Sequence, residues 1–286
     1  DLIITLGYDM VEYPPSKWNP DNCRDVIHID FLPAESDTDY LPVVEVVGDL
    51  AHALWMLNER VTRDGSPDYT LAKQAELRSR MQAEFAAHAE DTTTGSIRPQ
   101  KALADLRAVI DAEDIVLCGV GAHKMWVARH FQCHEPGTCI ISNGFCSMGM
   151  PLPGAIAAAH SKPGVRILAV VGDGDIMMNV QEMETASRLG SDITVMVWED
   201  HAYGLIEWKQ EQEFAAHTDL TFTNPDWLAL CASMGWHGAR CEDAAGLQDA
   251  LREAMSHKGP AMVVIPIDYR ENMKLTERLG QIDTTF

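Results

Sequence analysis

The stretch VRILAVVGDGD at residues 165–175 decides the fold class of this 286-residue chain. Its first seven residues are aliphatic apart from Arg166, which is typical of a strand that is buried on both faces of a parallel sheet. Glycine and aspartate follow at once, at residues 172–175. Because parallel sheets bind their ligands at the carboxyl ends of the strands, this stretch predicts an α/β protein with a ligand site directly after a buried strand.

Further apolar runs on both sides of this stretch alternate with helical stretches. The runs are Ile115–Cys118, Cys139–Ile141, Ile193–Trp198 and Ala261–Ile267. Such alternation predicts a parallel sheet that is covered by helices on both faces. We assign residues 99–286 to this one domain.

The first third of the chain predicts a different arrangement. Residues 1–62 contain two short strands and a helix, at Leu2–Leu6, Asp25–Asp30 and Leu50–Glu59. These are too few strands for a complete domain, so we interpret residues 1–62 as part of an open parallel sheet unit. Residues 63–98 are polar and contain a predicted amphipathic helix, Leu71–His88, and we interpret them as an interdomain linker.

The composition narrows the classes of partner. The formal charge is −21 and the isoelectric point lies near 4.7, which argues against binding to nucleic acid or to an acidic membrane surface. No apolar run reaches the roughly 18–20 residues that a transmembrane helix needs. The cysteines are odd in number and form no C-x-x-C pair, which favours reduced thiols and a cytoplasmic location.

Gly172-Asp173-Gly174 fits a phosphate site. Glycines let the backbone approach the ligand closely, and the N-terminus of the following helix offers free N–H groups. Asp173 would repel a phosphate, so we interpret it as a ligand of a hard cation that bridges to phosphate oxygens. Asp200 follows one helix and one strand later, which predicts that it returns to the same sheet edge. Two carboxylates and a loop carbonyl are ligands suited to Mg²⁺.

Other interpretations of these segments remain open from the residues alone. A Gly-Asp-Gly sequence can be an ordinary turn. A Ca²⁺ loop starting at Asp173 fails, because Met177 and Met178 occupy the positions of an oxygen ligand and of the essential glycine. Gly119-Val120-Gly121 follows a strand, as in dinucleotide-binding folds, but a third glycine is missing and Cys139 stands where a ribose-binding acid is expected.

Several motifs, in order, resemble those of thiamine diphosphate (ThDP) enzymes of the acetolactate synthase type. Residues 172–182 (GDGDIMMNVQE) with Glu199-Asp200 are similar to the ThDP signature, which begins Gly-Asp-Gly and ends in Asn-Asn. Other segments are similar to the later part of the central domain and to the cofactor domain of these synthases: residues 7–13, 27–30, 121–126 and 142–149. The resemblance covers nearly the whole chain. It implies an α/β parallel-sheet domain that binds the ThDP diphosphate, preceded by the C-terminal half of a Rossmann-like central domain.

The resemblance also implies a set of metal ligands. The side chains of Asp173 and Asp200 match the metal-binding positions, and Ala202 matches the residue whose carbonyl completes the shell. Glu199-Asp200 departs from the Asn-Asn of the signature. Because Asp200 keeps an oxygen ligand at the second position, we expect Mg²⁺ binding to survive this departure.

By the same resemblance, eleven residues would contact ThDP: Val120, Gly121, Ala122, His123, Cys146, Met148, Gly172, Gly174, Asp175, Leu205 and Ile206. Met148 matches the apolar residue on which ThDP bends, and Lys209 matches a position on the substrate side. Each has a plainer alternative. His123 could cap a helix, Met148 could belong to the core, and Lys209 could be a solvated lysine on a helix predicted over Tyr203–Glu213.

The implied reaction is the decarboxylation of pyruvate and addition of the remaining two-carbon unit to a second 2-keto acid, giving acetolactate and CO₂. Another ThDP carboligase, a 2-keto acid decarboxylase, or a non-catalytic cofactor-binding half are the alternatives. Phe145-Cys146 differs from the glutamine-containing stretch of the catabolic synthases, which leaves the product, and a role in branched-chain amino acid biosynthesis, open.

The resemblance further implies an incomplete active site. No residue of the chain matches the glutamate that activates the aminopyrimidine of ThDP, so we assign no catalytic acid. We expect the chain to need the missing N-terminal half of the same enzyme, within a homodimer or homotetramer. Residues 8–12 lack the arginine-containing pattern of the flavin-binding members, so FAD is not expected.

Overall fold

A computed structural model of the chain describes residues 2–10, 13–35, 37–64 and 71–275. These residues form two units whose boundary falls between Glu76 and Leu77. That boundary lies within residues 63–98, the interdomain linker predicted from the sequence. Parts of three predicted segments lie outside the described residues. They are Val11 and Glu12 of the segment 8–12 that bears on FAD, residues 65–70 of the linker, and residues 276–286 of the second predicted domain.

The first unit is built on a three-stranded parallel sheet in the order β1-β2-β3. The strands are β1 (Ile3–Leu6), β2 (Val26–Asp30) and β3 (Val44–Val47), and helix α1 (Leu50–Asp64) follows them. Strand β3 was not predicted. A second helix, α2 (Ala72–Ala86), contains the boundary between the units.

The second unit contains a six-stranded, wholly parallel sheet, which confirms the predicted α/β class. Its order is β5-β4-β6-β7-β9-β8. The strands are β4 (Ile115–Cys118), β5 (Cys139–Ile141), β6 (Ile167–Gly172), β7 (Ile193–Glu199), β8 (His237–Arg240) and β9 (Ala261–Pro266). Strand β8 was not predicted, because His-Gly-Ala-Arg is not an apolar run.

Helices cover both faces of this sheet. They are α3 (Pro99–Val109), α4 (Ala122–His130), α5 (Pro151–Ser161), α6 (Asp173–Ile176), α7 (Glu182–Leu189), α8 (Gly204–Phe214), α9 (Trp227–Met234) and α10 (Leu247–Ser256). None of the helices in the described part of the chain combines the length and apolar character that crossing a membrane requires.

Strand β6 shows why the two faces form separate apolar layers. Leu168 and Val170 belong to a buried cluster on one face, whereas Ala169 and Val171 belong to a second cluster on the other. Because successive strand residues point to opposite faces, a strand that is covered twice must be apolar at every position. All six residues of β6 are buried.

The end of the predicted linker belongs to the second unit. Ile97 is fully buried, pairs with Ile267 as a parallel bridge, and donates its N–H to the carbonyl of Pro266 at 2.7 Å. Residues after about position 94 therefore extend the sheet of the second unit.

Candidate functional site

The segments that follow β4, β6 and β7 meet at one edge of the sheet. These strands are neighbours, and the β6–β7 pairing runs to Gly172 opposite Trp198, so Asp173 and Asp200 follow side by side. A cavity of about 180 Å³ opens at this edge. All predicted cofactor and metal residues line it: Val120, Gly121, Ala122, His123, Cys146, Met148, Gly172, Asp173, Gly174, Asp175, Asp200, Ala202, Leu205 and Ile206.

Three lining residues were missed by the sequence analysis. Tyr203 and Gly204 lie between predicted residues, and Tyr269 follows β9, the other neighbour of β7. The position of Tyr269 at a strand end was a usable signal. Burial raises the pKa of Tyr269 well above its ordinary value, and the charges of Asp200 and Asp173 act in the same direction. Tyr269 is therefore a neutral hydroxyl beside the two acids.

Asp173 is anchored by hydrogen bonds from its surroundings. Its Oδ2 accepts from the backbone N–H of His201 at 2.7 Å and of Asp200 at 3.2 Å, and from Asn224 Nδ2 at 2.8 Å. Its Oδ1 accepts from the N–H of Gly174 at 2.8 Å. Because both oxygens accept from N–H groups, the buried side chain is held in a fixed orientation.

Asp200 faces Asp173 at this edge. Burial raises the pKa of Asp200 to about 8, with further contributions from the negative charge of Asp173 and a hydrogen bond to it. The turn beyond is tight: His201 has a left-handed φ of 59°, and a Cβ at Gly204 would lie 2.6 Å from Asp200 Oδ2. Two acids held together in this way gain from a cation between them.

A small divalent cation fits this donor set. His201 and Tyr203 pair with the strand-like segment 220–222, through Phe222 N–H to His201 O at 2.9 Å and Tyr203 N–H to Leu220 O at 3.2 Å. The carbonyl of Ala202 takes no part in these two bonds. No group of three or more His, Cys, Asp or Glu side chains suited to a metal occurs in the described ranges. A cation here would therefore need backbone and ligand oxygens besides the two carboxylates.

Asp200 gives the cation-free protein a measurable pH dependence. Its pKa is about 8 in the folded protein against an ordinary value of 3.8, so the folded state holds this proton more tightly than the unfolded chain. The free energy of unfolding is therefore expected to fall as the pH rises from about 4 to about 8. Asp200→Asn should remove most of that fall. Thermal melts across this range without divalent cations check the prediction, and an equal fall in the variant would contradict it.

The family to which this site belongs follows from comparison with known proteins. Residues 119–265, just over half of the chain, match the family described as "Thiamine pyrophosphate enzyme, C-terminal TPP binding domain". The chain belongs to the thiamine pyrophosphate enzyme family. Thiamine pyrophosphate is ThDP, and the matched range contains the segments after β4, β6 and β7 that line the cavity.

Individual relatives refine this assignment. The chain is 32% identical, over its whole length, to an acetolactate synthase of Bacillus subtilis (strain 168), of which it covers 51%. It is 30% identical, over 99% of its length, to a catabolic acetolactate synthase of Raoultella terrigena, of which it covers 50%. An acetolactate synthase isozyme 2 large subunit of Escherichia coli (strain K12) is also 30% identical, with 96% and 49% covered. The chain is thus of the acetolactate synthase type and spans about half the length of these curated relatives.

Asp175 has a different environment from the one that a ThDP contact implies. Its Oδ1 accepts from the N–H of Gly149 at 2.7 Å and of Val120 at 3.4 Å. A Cβ at Gly119 would overlap its Oδ2 at 1.8 Å. The carboxylate thus ties the loops after β4 and β5 to the Gly-Asp-Gly turn. In this structure Asp175 is a loop anchor at the cavity wall, and a contact between Asp175 and ThDP stays a prediction.

His123 lines the cavity with a buried ring. It is buried, and its Nε2 lies 3.5 Å from Asp175 Oδ2 without a hydrogen-bond partner among the described residues. The ring packs on glycine backbone: a Cβ at Gly121 would lie 2.7 Å from His123 Cε1, and one at Gly172 would lie 3.0 Å from Nδ1. The N-cap residue of α4 is Gly121, and His123 lies inside the helix, which argues against the helix-cap alternative.

The remaining predicted residues divide into a cavity wall and one outlier. Met148 is half-buried at the cavity and belongs to neither buried cluster, which argues against the core-packing alternative. Cys146 has a left-handed φ of 52°, and its Sγ accepts a hydrogen bond from Lys124 Nζ at 3.2 Å. Lys209 does not line the cavity; it is exposed, one turn of α8 beyond Leu205.

Proposed function

We propose that this chain forms the diphosphate- and Mg²⁺-binding half of an enzyme that converts two 2-keto acids into acetolactate and CO₂, with pyruvate as donor. The observation that carries the proposal is the pair of facing carboxylates, Asp173 and Asp200, at the cavity of a ThDP-binding domain of the acetolactate synthase type. When bound, ThDP supplies the carbon nucleophile that such a decarboxylation needs.

The residues of this chain would hold and shield the cofactor. Asp173, Asp200 and the carbonyl of Ala202 would bind Mg²⁺, which neutralises the diphosphate in a protein of −21 formal charge. The Nε2 of buried His123, 3.5 Å from Asp175 Oδ2 and without a hydrogen bond among the described residues, would donate to a phosphate oxygen. Met148, together with Leu205 and Ile206, would form an apolar wall that excludes water from the reacting carbon.

A product assay on the complete enzyme tests the reaction. With pyruvate, ThDP and Mg²⁺, we expect acetolactate and CO₂ in a 1:1 ratio. Acetaldehyde as the main product would instead assign a decarboxylase, and a product formed only with another acceptor would assign a different carboligase. Tight ThDP binding without turnover would assign a non-catalytic cofactor-binding module.

The exposed apolar side chains of the first unit support the proposal that another polypeptide segment covers this surface. Many of its large apolar side chains are exposed, among them Leu2, Ile4 and Leu6 around β1, Val44, Val46 and Val47 on β3, and Trp55 and Met56 on α1. Exposed apolar patches of this kind mark interaction surfaces. We propose that the N-terminal half of the same enzyme covers them, within a homodimer or homotetramer. Independence from FAD stays a prediction.

Lys209 remains a proposed contact of the acceptor carboxylate. It follows Leu205 by one turn on the same side of α8, so an ammonium group could reach back toward the cavity. Lys209→Met in the complete enzyme should selectively lower kcat/KM for a second pyruvate relative to a neutral aldehyde, by roughly tenfold. Its exposed neighbour Glu213→Gln is the matched control. Equal effects on both acceptors would return Lys209 to the solvated surface.

A further inference from the structure

The side chain of Asn224 connects Asp173 to a second buried acid. Its Nδ2 donates to Asp173 Oδ2 at 2.8 Å and to Glu199 Oε1 at 3.2 Å. The same Nδ2 also lies 3.2 Å from His201 Nδ1, so its two hydrogens face two carboxylate oxygens and one ring nitrogen. This fixes the orientation of the amide, because its oxygen at the same place would face two negative charges. Asn224 reaches the site from the segment before α9, which is held by the N-cap residue Asp226.

Glu199 is itself held by charge and hydrogen bonds. Arg240 Nη2 lies 2.6 Å from its Oε2, and Trp227 Nε1 donates to its Oε1 at 2.9 Å. Arg240 thus forms an ion pair with Glu199 beside the proposed cation site.

The hydrogen bonds of Asp173 decide which of its oxygens faces a cation. Oδ2 accepts three hydrogen bonds, from the N–H groups of Asp200 and His201 and from Asn224. Oδ1 accepts one, from the neighbouring Gly174. Each carboxylate oxygen has about two lone-pair positions. The three donors occupy both positions of Oδ2, whereas Oδ1 keeps one position that a cation could take.

We propose that Asn224 is a positioning residue for Asp173: it completes the hydrogen bonding of Oδ2 and thereby directs Oδ1 to the cation, while the Glu199–Arg240 ion pair holds Asn224 in place. The inference rests on the proposed function, since it presupposes a divalent cation at Asp173 and Asp200. Glu199 occupies the position of the first asparagine in the ThDP signature. The Glu199–Arg240 ion pair therefore involves a residue in which this chain differs from that signature.

The first test removes the amide in the full-length enzyme. Asn224→Ala and Asn224→Ser are titrated with Mg²⁺ at fixed ThDP, and cofactor binding is followed by calorimetry. Because outer hydrogen-bond partners of metal ligands typically change affinity by roughly 10–100-fold, the Mg²⁺ concentration for half-maximal binding should rise about tenfold or more. Binding at saturating Mg²⁺ should approach that of the wild type. Asn58→Ala, at an exposed position of α1, is the control.

The second test asks whether the ion pair acts through Asn224. Arg240→Met leaves the charge of Glu199 without an ion-pair partner, so Glu199 should no longer hold Asn224 in place. The Mg²⁺ concentration for half-maximal ThDP binding should rise. Arg240→Met combined with Glu199→Gln should raise this concentration less. Arg188→Met and Glu184→Gln, an exposed pair at 3.1 Å, provide the matched control cycle. Melting temperatures without Mg²⁺ separate general destabilisation from an effect on the site.

The outcomes separate failure of the positioning role of Asn224 from failure of the proposed Mg²⁺-dependent function. If the Asn224 variants melt at lower temperature but keep the wild-type Mg²⁺ requirement, Asn224 has only a structural role and the inference is overturned. If the wild-type enzyme binds ThDP without regard to Mg²⁺, the proposed function fails and the inference fails with it. A raised Mg²⁺ requirement in both Asn224 variants, with partial recovery in the Glu199–Arg240 double variant, supports the inference.

Discussion

Replacing Asp173 or Asp200 by alanine is expected to abolish Mg²⁺-dependent ThDP binding by the complete enzyme. Each change removes one oxygen ligand and leaves the other carboxylate facing the diphosphate without full compensation. Because changes to the partners of metal ligands already cost roughly 10–100-fold, loss of a ligand should lower the affinity by more than about 100-fold. Calorimetric titration with ThDP, with and without Mg²⁺, measures this directly.

Two further variants sharpen the experiment. Asp200→Asn keeps an oxygen ligand and should retain Mg²⁺-dependent binding. Asp249→Ala removes an exposed carboxylate on α10 and should have no effect. Unchanged, Mg²⁺-dependent binding in both alanine variants would remove the metal assignment.

The two acids should differ in how they affect the cation-free protein. Asp173 is fixed by N–H groups from Gly174, His201 and Asn224, so Asp173→Ala leaves donors unpaired and should lower the melting temperature. Burial, together with the negative charge of Asp173, raises the pKa of Asp200 to about 8, so at neutral pH the folded protein must hold a proton that the unfolded chain releases, and this lowers its stability. Asp200→Ala should therefore leave the melting temperature unchanged or raise it at neutral pH. The same pair of variants thus separates loss of a ligand from loss of fold.

The strands of the second unit could be predicted to the extent that burial requires apolar residues at every position. Strands β6 and β7 are buried throughout; β6 is aliphatic up to Gly172, and β7 is apolar apart from Thr194 and Glu199. Strand β8 lies at the edge of the sheet, and its residues are half-buried or exposed. Its pairing with β9, such as Ala239 opposite Val263, depends on contacts between distant parts of the chain. No local pattern predicts such a strand.

The candidate site could be predicted where it is built from strand ends and recognisable motifs. Tyr269 and Asn224 were missed because they reach the site from segments that carry no motif, after β9 and before α9. Asp173 and Asp175 look alike in the sequence. Their hydrogen bonds distinguish them: Asp173 accepts from the N–H groups of Asp200 and His201, whereas Asp175 accepts from those of Gly149 and Val120.

The 286-residue chain by itself is expected to bind ThDP weakly and to turn over no pyruvate. Its cavity of about 180 Å³ is smaller than the roughly 300–1,000 Å³ of typical small-molecule sites. The apolar side chain of Ile206, which lines the cavity, is 48% exposed. The described lining residues include three aspartates but no glutamate to activate the aminopyrimidine. Release of CO₂ from pyruvate at saturating ThDP and Mg²⁺ measures the prediction, with the full-length enzyme as control.

Adding the separately expressed N-terminal half should restore turnover and tighten ThDP binding, because that half would close the cavity and cover the apolar surface of the first unit. Sustained decarboxylation by the purified 286-residue chain, verified by mass, would show instead that it contains a complete active site.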